Sequence, residues 1–517
     1  MAGKLKKEIG LWTLVSLGVG GMVGSGIFAL PAIMGALAGP GLILGILLSG
    51  IVAMFLGLAY AELGSAFPIT GGPYALPRIA LGNFGGFTMG WSYFLYLFIG
   101  TAGIIEIFVV YLGYYYPGLA VGATLTPIGI TIGVIALWIF TIINIMGVKW
   151  GAMYSFITTI GRLIPLLIFV VVGFAYFQGA NFAPFMPYGI GGVIVTIPLF
   201  FWSYTGFEAI VIPSEEVKNP SVTIPLSMVL SIFITILVYF VIAVAFVGMI
   251  DWQGLSMSYK DWAAFGKLSS PLSDVSHAVN LPWLATIVVI GAIIATAGSG
   301  GSWVLFQGRM PYAMAQDKLF WAPMGKVDAK HGTPVLSLIF TSVLSTIVLI
   351  AIPNFASVAL IASITVLVPY AAATVSLLIM RITKNDVKRP YKLPMAKTIT
   401  LLGFIFSTYL IYLASWPWTY VGILLVFTAY PAFIFVKKRN FEWKRNLWIP
   451  VYLGLILIVS IIGDKYFVSN NFTPFEPLNI LPLPYDLVVL TIIAIVCFVW
   501  AYKVNIKHKA TKTSTEE

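Results

Sequence analysis

Residues 11 to 37, LWTLVSLGVGGMVGSGIFALPAIMGAL, are long and apolar enough to cross a bilayer, yet Gly24, Ser25 and Gly26 sit where a crossing helix should be most regular. Glycine costs about 1 kcal/mol relative to alanine in a helix interior, so a break is expected there. A break at bilayer depth frees backbone N–H and C=O groups, which is tolerable only around a protein-lined cavity. Freed groups at half-helix ends can hold a small charged solute. The alternative is that Gly20 and Gly24 form a small-xxx-small packing face, and this stretch alone does not decide between the two.

Apolar runs of similar length recur along all 517 residues; with 60% hydrophobic and 9% charged residues, the composition excludes a soluble globular protein. Spans are expected at about 11–36, 41–67, 87–115, 128–148, 153–177, 191–213, 224–250, 282–311, 334–352, 356–381, 398–416, 419–436, 448–463 and 484–502, an all-α polytopic protein of about 14 transmembrane helices. The first apolar segment is full length and lacks a small-residue cleavage site, so no cleavable signal peptide is expected. Cys497 is the single cysteine, and no intrachain disulfide can form.

The net charge of +11 is distributed as a membrane protein distributes it. With the N-terminus in the cytoplasm, Lys260, Lys267 and Lys465 fall outside and Arg162 falls within a span, while clusters such as Lys437–Arg439 and Lys384–Lys392 fall inside. The expected partner of this charge is the lipid bilayer of the cell membrane, with both termini cytoplasmic, and not nucleic acid.

The sixth span, VIVTIPLFFWSYTGFEAIVI, carries a second interruption at Trp202, Ser203, Tyr204, Thr205 and Gly206, with Glu208 just after. Interruptions five spans apart lie in oppositely oriented segments, as an inverted repeat requires, and paired interruptions point to a transporter site. The chain then divides into a lead (1–10), a first repeat (11–177), a second repeat (191–381), additional spans (398–502) and a polar tail (503–517) expected to be unstructured. After the second span, Pro68, Gly71, Gly72 and Pro73 read as a turn or re-entrant element and not as helix. The connection 251–281 is expected to lie as short helices over the outer mouth, or as a loop without a gating role.

GSGIF in the first span, YAELGSAFP with GGPY after the second, FWSYTGFEA followed by EEVKNPSVTIP, and GRMPYAMAQDKLF with HGTPV after the eighth agree in order and spacing with the amino acid–polyamine–organocation permeases. The chain resembles that superfamily over roughly residues 8 to 438. WIFTIINIMG, LIP and WSYTGFE are most similar to its arginine/agmatine antiporters, while other members are proton-coupled amino acid permeases. The resemblance implies the five-plus-five inverted repeat of the leucine-transporter fold, with broken first and sixth helices and four additional C-terminal helices. It also implies that the backbone N–H groups of Ser25 and Gly26 meet a substrate carboxylate. The carbonyls of Met22, Trp202 and Thr205 would meet its ammonium group. By family position Thr101 would line the side-chain pocket, Trp202 and Trp303 match aromatic gate and pocket positions, and Ser363 and Tyr370 are tenth-span candidates. Half-helix dipoles independently favour an anion at the N-terminal end and a cation at freed carbonyls.

Buried charges in a membrane cost at least about 2.5–3.5 kcal/mol, so each asks for a task. Glu208 matches a family glutamate linked to proton sensing; the alternative is a structural hydrogen-bond acceptor. Proton-coupled relatives place a lysine where this chain has Arg162, which keeps its proton. Facing the first break, Arg162 would be a permanent cation supporting the free carbonyls; otherwise it is a snorkelling or structurally paired arginine. Glu106 could partner Arg162, receive a cationic substrate side chain, or bond a neighbouring helix. Glu62 and Arg78 fit a cytoplasmic gate, or a purely structural turn.

GVGGMV lacks the last glycine of a dinucleotide fingerprint and no Walker motif occurs, so no nucleotide, cofactor or metal is expected. The reading is a secondary transporter for amino acids or related amines, with protons as a candidate co-substrate. Obligatory amino acid/amine exchange is the alternative within the fold, and a homodimer is left open. A polytopic membrane enzyme would need a clustered catalytic set at one depth, and a channel a repeated pore loop; neither pattern is present.

Overall fold

The computed structural model describes residues 9–69, 71–146, 151–328, 331–436, 442–464 and 476–516. The basic cluster Lys437–Arg439, Lys465 and most of the N-terminal lead lie outside the described residues.

The first span is two helices, α1 (Leu11–Met22) and α2 (Ser25–Ala38), separated by Val23 and Gly24 in non-helical conformations. A 3₁₀ turn at Gly39–Gly41 leads into α3 (Leu42–Ala66). Helix α4 runs from Gly72 to Leu112 with one interruption at Gly82 (φ 78°, ψ −171°), so a short helix precedes the third crossing. This corrects the expectation at 71–73. Gly71 (φ 109°) is the turn, but Gly72 and Pro73 begin a helix, because the missing N–H of proline is no loss in a first turn.

There follow α5 (Pro127–Ile145), α6 (Gly151–Ala175), α7 (Gly189–Tyr204), α8 (Pro220–Gly248), α9 (Pro271–Ala278), α10 (Pro282–Gln316), α11 (Val335–Ala351) and α12 (Phe355–Thr383). The remaining helices are α13 (Ala396–Tyr412), α14 (Trp418–Phe427), α15 (Ala429–Val436), α16 (Trp443–Asn446), α17 (Trp448–Ile462) and α18 (Tyr485–Glu516). Pairing α1 with α2 and α14 with α15, and setting aside α9 and α16, leaves fourteen apolar crossings among the described residues. The last helix continues to Glu516, so the tail expected to be unstructured is helical. A two-residue hairpin, β1 (Ala120–Val121) with β2 (Thr124–Leu125), is the sheet among the described residues.

Helices α1, α3, α7 and α8 pack as one group, while α4 packs most extensively on α12 and α10. The apolar part of α12 is enclosed on all sides, and α13, α14 and α18 cover its outer face. Between α8 and α10, a 3₁₀ segment (Trp262–Lys267) and α9 form short helices that lie against α2.

Candidate functional site

The two interruptions meet. Helix α7 ends at Tyr204, Thr205 is extended, Gly206 is left-handed (φ 109°), and a single 3₁₀ turn follows at Phe207–Ile210. A Cβ on Gly206 would lie 2.4 Å from the carbonyl oxygen of Gly21, and one on Gly21 would lie 2.7 Å from that of Gly206. Only glycine on both sides lets these backbones approach so closely.

Between them lies a cavity with room for about one water molecule (about 20 Å³), walled by Gly24, Ser25 and Gly26 of the first span and Trp202, Ser203 and Thr205 of the sixth. Met22 and Gly21, Ile104 of α4, and Ser299 and Trp303 of α10 complete the wall. The N-terminal amides of α2 are among those a helix leaves without internal partners, and they mark the positive end of its dipole. The Trp202 and Trp303 rings stand 5.4 Å apart between centroids, and Tyr96 packs edge-on at 5.0 Å from Trp303. Trp202 Nε1 donates to Ser25 Oγ at 3.3 Å, tying the aromatic wall to the start of α2.

Several freed carbonyls already have donors. Arg162, almost fully buried on α6, donates from Nη1 to the carbonyls of Gly20 and Val23, each at 2.7 Å. Tyr239 of α8 donates to the carbonyls of Met22 (2.7 Å) and Ser203 (3.0 Å), bridging the two interrupted spans. The Trp202 carbonyl accepts from Thr205 Oγ1 at 2.6 Å. The Trp202 carbonyl also accepts from the Thr205 N–H at 3.1 Å, so taking a further donor there requires Thr205 to yield, whereas the carbonyls of Gly20, Met22 and Val23 each have a second lone pair.

Glu208 is buried at the second interruption. Its Oε2 accepts from the Gly206 N–H at 2.9 Å and from the Tyr370 hydroxyl, and its Oε1 accepts from Tyr93 at 3.2 Å. The carboxylate therefore ties the break to α4 and α12 at once.

The remaining expected residues stand apart from the cavity wall. Thr101 is buried and donates to its own helix at Leu97 (2.8 Å). Ser363 and both carboxylate oxygens of Glu106 have no hydrogen-bond partner among the described residues. Arg162 Nη1 is turned to the carbonyls of Gly20 and Val23, and Glu106 accepts no hydrogen bond from it. Glu62 and Arg78 do not pair with each other either. Glu62, fully buried at the end of α3, accepts from Arg381 (2.8 and 2.5 Å) and from the Leu393 N–H (2.7 Å), with Arg389 at 3.6 Å. Arg78 contacts Asp317 at 2.5 Å, which also accepts from Tyr74 at 2.8 Å.

Tyr239, Tyr93, Ser299 and Asp317 are contact partners at these places that sequence reasoning missed. Asp317 lies inside the motif GRMPYAMAQDKLF and was within reach. A tyrosine in an apolar run such as LVYFVIAV gives no signal of what it faces.

Residues 9–421 match the family model for amino acid permeases. The chain belongs to this family. The permease is also similar over nearly its whole length to characterised transporters. An aspartate-proton symporter of Bacillus subtilis is 30% identical over 96% of both chains. A glutamate/serine transporter of the same organism is 27% identical over 99% of this chain and 96% of its own. An arginine/agmatine antiporter of Chlamydia abortus is 26% identical over 89% of this chain and 98% of its own. This permease is thus a secondary amino acid transporter with a multi-pass helical fold, and not an enzyme.

Proposed function

We propose that the permease carries a zwitterionic amino acid bound by main-chain groups at the two interrupted spans, and that protons drive it. The supporting observation is the placement of the α2 N-terminus on the same small cavity as the C-terminal end of α7, under Trp202 and Trp303. The Ser25 and Gly26 amides take the carboxylate. The ammonium is received by carbonyls of Met22, Trp202 and Thr205, and the side chain extends toward α4 and α10. A cavity of one water cannot hold an amino acid, so binding requires the α1/α7 group to part from α4 and α10; alternating access is that motion carried through.

Glu208 is the proton switch in this reading. As a carboxylate it only accepts, and Tyr93, Tyr370 and the Gly206 N–H all donate to it; a proton on it removes an acceptor site and loosens the sixth span. The proton-coupled relative named above supports this choice. The permease sits in the cell membrane with its termini and basic loops on the cytoplasmic side. Exchange of an amino acid for its amine product is the second reading. It is favoured by Arg162, a cation that keeps its proton and so cannot cycle as a lysine would.

The test is uptake of a labelled amino acid panel into proteoliposomes, with and without an inward proton gradient and with counter-substrate inside. Gradient-driven uptake into empty vesicles supports the proposal. Uptake that occurs only with internal amine, and ignores the gradient, replaces it with exchange.

A further inference from the structure

A cavity of about 540 Å³ opens where α10 and α15 end. Its walls include Lys318, Phe320, Trp321, Ala322, Phe435 and Val436. Trp321 and Phe435 are 60% and 88% exposed, as side chains facing lipid at an interface are. Phe320 is buried behind them, against Trp91 and Phe94 of α4. Lys318 is exposed and makes no ion pair among the described residues, and no carboxylate lines the cavity. The chain runs on from Val436 into Lys437, Lys438 and Arg439.

One ammonium group over aromatic and aliphatic walls matches one kind of molecule: an amphiphile with an anionic head. A zwitterionic headgroup carries its own cation and gains less from Lys318, and a free phosphate has no use for the aromatic walls. Basic pockets between membrane helices are the usual sites of acidic lipid headgroups. Lys318 is also the immediate chain neighbour of the Arg78–Asp317 contact described above. Its N–H donates to the Ala315 carbonyl at 2.9 Å, and the residue before it is Asp317, which Arg78 and Tyr74 hold.

We propose that this cavity binds an acidic phospholipid, phosphate on Lys318 and upper acyl chain along Trp321, Phe435 and Val436, and that the bound lipid steadies the Asp317–Arg78 contact. The proposal rests on the reading that α10 and α15 end at the same membrane face, and its first test does not require transport. Delipidated permease in detergent is titrated with dioleoyl phosphatidylglycerol and followed by native mass spectrometry. Lys318→Gln should bind it roughly fivefold more weakly, and Phe435→Ser should bind it more weakly than wild type, since one basic side chain near a membrane surface contributes about 1 kcal/mol. Lys318→Arg should bind as wild type does, and dioleoyl phosphatidylcholine should not separate the charge variants. Equal phosphatidylglycerol binding by wild type and Lys318→Gln, or displacement by glycerol phosphate, overturns the lipid assignment. Uptake into phosphatidylcholine vesicles with and without phosphatidylglycerol then tests the coupling. Wild type should be faster with the acidic lipid, and Lys318→Gln should need roughly fivefold more of it for the same stimulation; a Lys318→Gln variant stimulated as strongly as wild type at every lipid fraction overturns the coupling to Asp317.

Discussion

Gly26 and Gly24 differ in what a methyl group would meet. On Gly26 a Cβ would lie 1.9 Å from Ser203 Oγ and 2.9 Å from Ser203 Cβ, so α2 and α7 would have to separate. On Gly24 it would meet Ser299 Oγ at 3.6 Å, an ordinary contact. Gly26→Ala should therefore weaken substrate binding by about tenfold or more, the scale of one charge-assisted hydrogen bond, while Gly24→Ala stays near wild type. Calorimetric titration of both variants checks this, and similar affinities would break the assignment of the carboxylate to the start of α2. Glu208→Gln, with nearly the same shape and no titrating proton, should flatten the pH dependence of uptake. An unchanged profile would return Glu208 to a structural role.

At the scale of elements, the short helix α9 carries Asp274 against α2 and α10. Burial pushes the Asp274 carboxyl up from 3.8 to about 6, opposed in part by the Ser270 N–H and by His277. Because the folded value is the higher one, the folded chain binds more protons between about pH 4 and pH 6, and stability falls as pH rises through that window. Thermal melts should show wild type losing ground to Asp274→Asn from pH 4 to pH 6 and keeping a constant offset above it. A difference between the two that does not change with pH would contradict this. Arg445 donates to the Ala80 carbonyl and to Asn505 Oδ1 (2.6 Å), so α16 and α18 hold the short helix before Gly82. Arg445→Ala leaves these acceptors without their donor and should cost about 2 kcal/mol or more, read as a lowered melting temperature; an unchanged melt would show that the clasp bears no weight.

Across the whole molecule, what was legible in the sequence was whatever glycine, proline and hydropathy encode locally. Gly24 and Gly206 announced both interruptions, because a break in a membrane helix is written at the break itself. The fourteen crossings were legible for the same reason, since twenty apolar residues need no partner to be recognised. Pro73 misled: a proline beside glycines reads as a turn, but at the first helical turn it starts a helix. Long-range pairings were out of reach. Glu62 was visible as a buried acid, yet its partners Arg381, Arg389 and Leu393 come from the far end of α12 and the connection after it. Tyr239 bridges both interruptions from the apolar half of α8, where its neighbours in sequence give no hint of a polar partner, and only packing brings its hydroxyl to Met22 and Ser203.

The central claim is that main-chain ends of two interrupted helices grip both charges of an amino acid. The most direct measurement compares, on the same purified permease, the affinity of a transported amino acid with that of the amine lacking only its carboxylate. Two amide hydrogen bonds to a charged group are at stake, so the amine should bind at least about a hundredfold more weakly. Equal affinity for the two would contradict the account.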